Sequence, residues 1–334
     1  MRGIRLLLTV ALAVALSLAI FMEVEPEKFS EALKRLSAQT LVSALLLLTV
    51  DYLLRALRWH LMLKHLGSTA GMKACLGPLL AGYALNNLLP LRLGDVARIF
   101  AFKDQLGLRS EKIAATLLIE RLLDVFFLGG AFLLGVCFVT HQSFDGAFIH
   151  VVKAMGVFLV TLFGVMIVAP VQLVSAMHWL THRLLPRRFQ AASIVRFFAS
   201  AMKATIELGD QGTLVKLAFL SLPIWLSEAA VFYTIVASIN NDFPAMGGLF
   251  SMATGTLATM LPSTPGYVGT FDFFAVQGMR AFDVDYSDAT VAVIVVHTIL
   301  WFPITVVGAS WLLRHWGKAF TEKLVSLRQV NTHE

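Results

Sequence analysis

The chain has 334 residues, of which 57% are hydrophobic and only 14% charged, with a mean hydropathy of +0.76. A soluble domain carries about 25% charged residues, so this balance excludes one and points to a polytopic membrane protein. The formal net charge of +6 is no nucleic-acid signal, because the basic residues gather at the ends of apolar segments, where anionic headgroups attract them.

Arg2 and Arg5 precede a first apolar span at 4–22. Its outline is that of a signal peptide, but it is span-length and no small-x-small site abuts Glu23, so an uncleaved first helix is expected. A loop at 23–35 follows, bearing Glu23, Glu25, Glu27 and Glu31. The second span, 39–57, carries Asp51 and Arg55, four apart and able to pair. Arg58 near its end is expected to snorkel. The third span, 113–139, carries Glu120, Arg121 and Asp124. Glu120 lies ~14 Å along a helix starting near Glu111, close to the middle of a ~30 Å core. Arg121 and Asp124 share a face, and two acids on one base call for another cation or a proton. A fourth span covers 151–169. After it, residues 177–210 mix Trp179, Leu184, Phe189 and Phe197 with Arg183, Arg187 and Lys203, as interfacial amphipathic helices do. The fifth span, 214–239, carries Glu228 with nothing nearby in sequence to neutralise it, and the sixth, 289–313, carries His297. Ionisable residues at such depth are costly and read first as functional, with helix-packing ion pairs as the competing reading.

Two further apolar regions, 74–106 and 247–282, are interrupted. The first break runs Asn86-Asn87-Leu88-Leu89-Pro90-Leu91-Arg92-Leu93-Gly94-Asp95 and the second Leu261-Pro262-Ser263-Thr264-Pro265-Gly266-Tyr267-Val268-Gly269-Thr270-Phe271-Asp272. Irregular backbone at membrane depth is tolerated only inside protein or along a wet cavity, and one break in each half of a chain marks a transporter's central site. Lys and Arg are concentrated after the second span, before the third, between the fourth and fifth, and after the sixth. The loops 140–149 and 240–248 contain none, and 283–288 holds three Asp. By the positive-inside rule both termini are cytoplasmic.

Each broken region then begins and ends on one membrane face, the two on opposite faces. The expected architecture is all-α, with about six full transmembrane helices plus two oppositely oriented re-entrant hairpins forming an inverted repeat, in a single domain over 1–334. Gly94 and Gly266 each follow a break Pro by four residues. The alternative is two kinked full spans, which would invert the intervening loops. Arg92 and Arg98 flank the first break and suit a phosphate, while Asn86 and Asn87 add amide donors. Asp95 is expected to cap the following half-helix, and Thr270 or Asp272 the corresponding one after the second break. Ser263 and Thr264 add hydroxyls.

Walker, His-Glu-x-x-His, Gly-x-Ser-x-Gly and dinucleotide motifs are absent. His178 and His182 are expected at the interface, His60 and His65 do not share a face, and Cys75 and Cys137 lie in apolar segments without metal or disulfide spacing. No cofactor, metal or catalytic residue is expected, so the chain reads as no enzyme.

The segments Leu57-Arg58-Trp59, Asn87 through Arg98, Glu120 through Asp124 and Pro265 through Asp272 together resemble the flippase-like family of the lysylphosphatidylglycerol synthase transmembrane region. Members typically show Pro-Gly-Gly-x-Gly followed by an acid. Here Tyr267 stands in for the second Gly, and Asp272 comes one residue later than the usual Glu. In multiple-peptide-resistance members this region is thought to flip aminoacylated phosphatidylglycerol, ahead of a soluble aminoacyl-transferase domain. Only about twenty residues follow the last span here, so the resemblance implies translocation without synthesis.

The expected function is a bacterial inner-membrane lipid translocase moving a polar or anionic headgroup between leaflets, with a membrane phospholipid or other polar lipid as partner. A lipid-binding subunit for a separately encoded transferase and a small-solute or ion transporter are the alternatives. A homodimer is compatible with this reading.

Overall fold

The computed structural model describes residues 25–89, 92–139, 161, 193–260 and 264–330. The first and fourth expected spans, the loop 140–149, His178, His182, Pro90 and Ser263 lie outside these residues. Among the described residues the regular structure is entirely helical.

The loop expected at 23–35 is largely helix: α1 spans Pro26–Arg35, opened by Pro26 in its first turn and closed by Lys34 and Arg35 in its last. Helix α2, Ala38–His65, is capped by Ser37, whose hydroxyl accepts from the Thr40 N–H at 3.0 Å. It runs on past the expected end at 57 to His65. The first broken region forms α3 (Met72–Leu88), α4 (Leu93–Phe100) and a short turn α5 (Lys103–Leu106). Helix α6 is Ser110–Val136, α7 Ser193–Leu208 and α8 Gln211–Ile239. The second broken region forms α9 (Ala245–Ala258), a 3-10 turn (Pro265–Tyr267) and α10 (Thr270–Arg280). Helix α11 spans Tyr286–Val330.

Three of these helices are long and apolar enough to cross a membrane: Ala38–His65, Gly212–Ile239 and Tyr286–His315. On α2 the exposed face repeats as Val42, Leu45, Leu46, Val50 and Leu53. On α8 Phe219 and on α11 Leu313 are about three-quarters exposed. An apolar stripe turned outward along a helix has lipid, not water, as its solvent.

Each broken region folds back on itself. A Cβ on Gly94 would overlap the Gly82 carbonyl oxygen and stand 2.7 Å from the Asn86 backbone N, and one on Gly82 would meet the Arg98 side chain. So α4 runs antiparallel along α3, and only glycine lets the two backbones approach this closely. In the second unit Gly255 faces Ala275 and Phe271, and Gly278 faces Ser251, again antiparallel.

The ends of these hairpins sort into two groups. At one end Arg35 donates to the Ile239 carbonyl at 3.0 Å and pairs with Asp288 at 3.2 Å, while Lys28 lies 3.8 Å from Asp285. At the other, Lys112 donates to the Leu66 carbonyl at 2.8 Å, Gln105 to the Ala74 carbonyl at 2.8 Å, and His65 meets the Glu207 carbonyl at 3.1 Å. The start of α3 and the α5 turn thus meet through Gln105 and Ala74, while α9 and α10 pack on each other. Packing is reciprocal. Helices α2 and α8, which precede the hairpins, pack together; α3 packs on α11, with Gly308 against the Leu80 backbone; and α9 packs on α6, where Phe250 stacks on Phe132. Each hairpin sits in its own apolar cluster, one around Trp59, Met62, Leu79 and Phe102, the other around Phe232, Phe271, Met279 and Val293. Ionic groups occupy the space between.

Candidate functional site

Three polar systems meet between the hairpins. The first is centred on Glu120 of α6. Arg98 of α4 places its two terminal nitrogens on the two Glu120 oxygens at 3.1 and 3.0 Å, and its guanidinium lies 4.2 Å over the Trp59 ring. Both charges are about 1% exposed. Arg121 reaches Glu120 at 3.2 Å, Asp124 at 3.4 Å and Asp95 at 3.6 Å. Arg58 of α2 pairs with Asp124 at 2.9 Å and donates to the Ser221 hydroxyl at 2.8 Å.

Two expectations are corrected here. Arg58 does not snorkel: it is 1% exposed and anchors α2 to α6 and α8, because Asp124 offers a partner that water would otherwise supply. Arg98 is not available to an outside anion, since both its forked nitrogens are committed to Glu120.

The second system joins α2 to α8. Arg55 donates to Asp51 at 2.7 Å and to Glu228 at 2.6 Å, and stacks 4.6 Å over Trp225. Thr256 of α9 donates to the other Glu228 oxygen at 3.0 Å. The lone Glu228 of the sequence therefore meets a cation from another helix.

The third system holds the breaks. Arg92, not Asp95, is the residue that precedes α4, and it takes a left-handed conformation at φ 52°. Few non-glycine residues do so, and such strain gathers at functional sites. Its guanidinium donates to the Thr259 carbonyl and hydroxyl, both at 3.2 Å, and lies 5.8 Å from the Tyr267 ring. Asp95 instead exchanges two hydrogen bonds with Asn86, which donates to it at 3.0 Å and accepts its N–H at 3.2 Å. That exchange ties α4 to α3 from within the hairpin, so Asp95 is occupied before it can cap. Asn87 donates to the Thr305 hydroxyl of α11 at 2.8 Å. In the second break Pro265 opens the 3-10 turn, and Gly266 and Gly269 take φ of 70° and 83°. Gly269, rather than Thr270 or Asp272, is the capping position. Thr270 is buried in the first turn of α10, and Asp272 reaches back to accept the Gly269 N–H at 2.8 Å. His297 of α11 bonds Asp272 at 2.5 Å and the Gly266 carbonyl oxygen at 2.9 Å.

These systems surround one cavity with about 150 Å3 of room for water, lined among others by Asp51, Arg55, Asn87, Arg92, Arg121, Glu228 and His297. Of the described sequence-predicted residues, Gly94, Asp95, Arg98 and Glu120 on one side, and Pro265, Gly269, Thr270 and Asp272 on the other, stay behind its lining. The sequence reading did not single out Thr256, Thr259, Trp225 and Trp301 as lining residues. Thr and Trp carry no signal in an apolar run unless their partner is known. The indole N–H groups of Trp225 and Trp301 are buried without an acceptor among the described residues, and unmet donors on a cavity wall are available to a ligand.

Within the ionic systems, Asp51, Asp95, Glu120, Asp124 and Glu228 face Arg55, Arg58, Arg98 and Arg121. Arg92 has no carboxylate within 4.0 Å among the described residues and is partly exposed to the cavity.

The exposed apolar faces, the spanning helices and the buried ionic cavity between two broken-helix hairpins define a polytopic helical membrane protein built around a polar site. The chain belongs to the lysylphosphatidylglycerol synthase transmembrane-region family, which matches residues 6–308. It is 24% identical over 225 residues to a UPF0104 membrane protein of Methanocaldococcus jannaschii, covering 67% of this chain and 91% of the relative. It is 24% identical to a UPF0104 membrane protein of Methanothermobacter thermautotrophicus over 92% of this chain and 94% of that one. It is also 24% identical to the glycosyltransferase AglD of Haloferax volcanii, covering 98% of this chain but only 56% of that protein.

Proposed function

We propose that the chain is a lipid translocase of the cytoplasmic membrane, in which the cavity takes the polar headgroup while the acyl tails stay in the bilayer. The two hairpins are then re-entrant, entering from opposite faces as halves of an inverted repeat, and the end that bears Lys64, Lys103, Arg109 and Lys112 is cytoplasmic. The chain itself carries out no covalent chemistry. The observation that carries the reading is Arg92, a guanidinium at the apex of one break, held by a threonine of the other hairpin, without a carboxylate among the described residues. A phosphate there would gain a bidentate, charge-assisted contact in a low-dielectric setting and would touch both hairpins at once.

Orientation is tested by cysteine labelling in intact cells. Asn241→Cys, at the Arg35 end, is expected to react with an impermeant maleimide from outside. Lys103→Cys, at the other end, is expected to react only after permeabilisation. The reverse pattern would invert the assignment of faces.

Transport is tested in liposomes holding fluorescent lipids, with external reductant reading how fast inner-leaflet label becomes exposed. Phosphatidylglycerol is expected to move faster than a lipid without headgroup phosphate. Arg92→Lys is expected to slow it by on the order of tenfold, because a point charge cannot replace the planar fork. Unchanged movement and lipid binding in a folded Arg92→Ala protein would remove Arg92 from the site.

A second reading has support in AglD, which is named a glycosyltransferase, although this chain matches only 56% of it. On that reading the chain presents lipid to a transferase encoded elsewhere. The same vesicles separate the two: Arg92-dependent lipid binding with no movement between leaflets favours presentation.

A further inference from the structure

Both ring nitrogens of His297 face acceptors. Nδ1 lies 2.5 Å from Asp272 Oδ1, and Nε2 lies 2.9 Å from the Gly266 carbonyl oxygen. A carbonyl oxygen and an ionised carboxylate only accept, and a neutral imidazole has one N–H. A neutral ring beside an ionised Asp272 would therefore turn a lone pair onto one of the two oxygens. The contacts close with one proton more. Either an imidazolium donates both ways, or a neutral ring donates to Gly266 and accepts from a protonated Asp272. The other Asp272 oxygen already accepts the Gly269 N–H at 2.8 Å, so the added proton lies between Asp272 Oδ1 and His297 Nδ1.

We propose that Asp272 and His297 form a proton-binding site, and that the proton is a co-substrate which docks the second break onto α11 when bound and releases it when lost. Gly266 is one of the left-handed residues of that break, and a Cβ on it would come 2.8 Å from Trp301 Nε1. The break thus rests on α11 at two points, His297 and Trp301. The first break rests on the same stretch through Asn87, which donates to Thr305 at 2.8 Å and to the Trp301 carbonyl at 3.4 Å. An amide does not titrate. Of the two fastenings on this stretch, only the imidazole–carboxylate one answers to protons. Pro303 lies between them inside α11 and removes a backbone hydrogen bond where both breaks lean, so the helix is easiest to bend there.

The other charged and titratable groups of the neighbouring elements have partners of their own. From α2 and α8, Arg55 is shared by Asp51 and Glu228. From α3, Tyr83 donates to Glu120. Arg92 and Tyr267 face each other across the cavity mouth of the breaks. From α1, Lys28 and Arg35 meet α11 and the turn before it only at its far end, through Asp285 and Asp288. The Phe271 ring packs edge-on against the imidazole at 4.9 Å. None of these hydrogen-bonds His297, whose proton is governed by Asp272 and Gly266.

Coupling to lipid movement rests on the translocase reading above; the proton site does not. The test uses the full chain in nanodiscs with nitrogen-15 histidine, the His297 signals being identified by their loss in His297→Gln. These signals are expected to change as the pH is varied over the range the folded protein tolerates. Asp272→Asn is expected to abolish the titration. The introduced amide donates to Nδ1 while its oxygen keeps the Gly269 N–H, so every bond survives without the extra proton. Wild-type signals that do not move over this range, or that move equally in Asp272→Asn, overturn the proton site. In liposomes, an imposed pH gradient is expected to change phosphatidylglycerol movement on the order of tenfold in the wild type, the factor a lost hydrogen bond to a charged group is worth, and to leave Asp272→Asn unaffected. Movement indifferent to the gradient, with titration intact, overturns the co-substrate role and leaves the translocase. Absence of movement for any headgroup, with titration intact, overturns the translocase and leaves the proton site.

Discussion

Glu120→Ala is expected to lower stability by about 3–5 kcal/mol, the cost of breaking a buried ion pair from one side. Its partner Arg98 is about 1% exposed, gives both terminal nitrogens to Glu120, and among the described residues has only Asp95 at 3.9 Å as a further carboxylate. The orphaned guanidinium would remain pressed on Trp59, out of reach of water and with the more distant Asp95 as its remaining described acid. Arg121→Ala, by contrast, should cost far less. Its side chain is 29% exposed, and the two buried acids it touches keep a second cation, Glu120 through Arg98 and Asp124 through Arg58. Thermal unfolding of the two variants in one detergent checks the order. Equal midpoints would show that Glu120 is not the centre of the network. The double variant Glu120→Ala with Arg98→Met should recover much of the loss, because an apolar pair leaves no buried charge behind.

Gly94→Ala is expected to prevent the first hairpin from closing. The added methyl would overlap the Gly82 carbonyl oxygen and lie 2.7 Å from both the Asn86 backbone N and its side-chain oxygen. Two of these three atoms are backbone, so no rotamer change relieves the overlap. Overpacking typically costs about 1–3 kcal/mol and more where the backbone must move. Separating α4 from α3 would also part Asn86 from Asp95 and pull Arg98 off Glu120. The readout is the yield of monodisperse protein and its unfolding midpoint. Gly130→Ala is the control: nothing lies within 4 Å of that Cβ, and alanine there should be neutral or up to about 1 kcal/mol stabilising through helix propensity. Comparable losses in both variants would mean that helix content, not the close approach, decides the outcome.

The membrane class and the positions of both breaks were legible in the sequence alone. Composition and apolar run length need no partner to be read, and the distribution of Lys and Arg follows from synthesis into a charged bilayer. The pairing of Asp51 with Arg55 and of Arg121 with Asp124 was legible for the same reason: four- and three-residue spacings on one helix are local geometry. The roles of the remaining ionic residues were not. Arg58 and Arg98 read as a snorkelling residue and an anion ligand because sequence shows a charge but not what stands opposite it. Asp124 lies 66 residues from Arg58, and Glu120 lies 22 from Arg98. The tertiary structure decided which guanidiniums are spent on buried carboxylates and left Arg92 to the cavity. It also turned His297 toward two acceptors on a break 25 and 31 residues away. An ion pair's strength depends on the distance and burial of both members, and across helices those are properties of the packed fold alone.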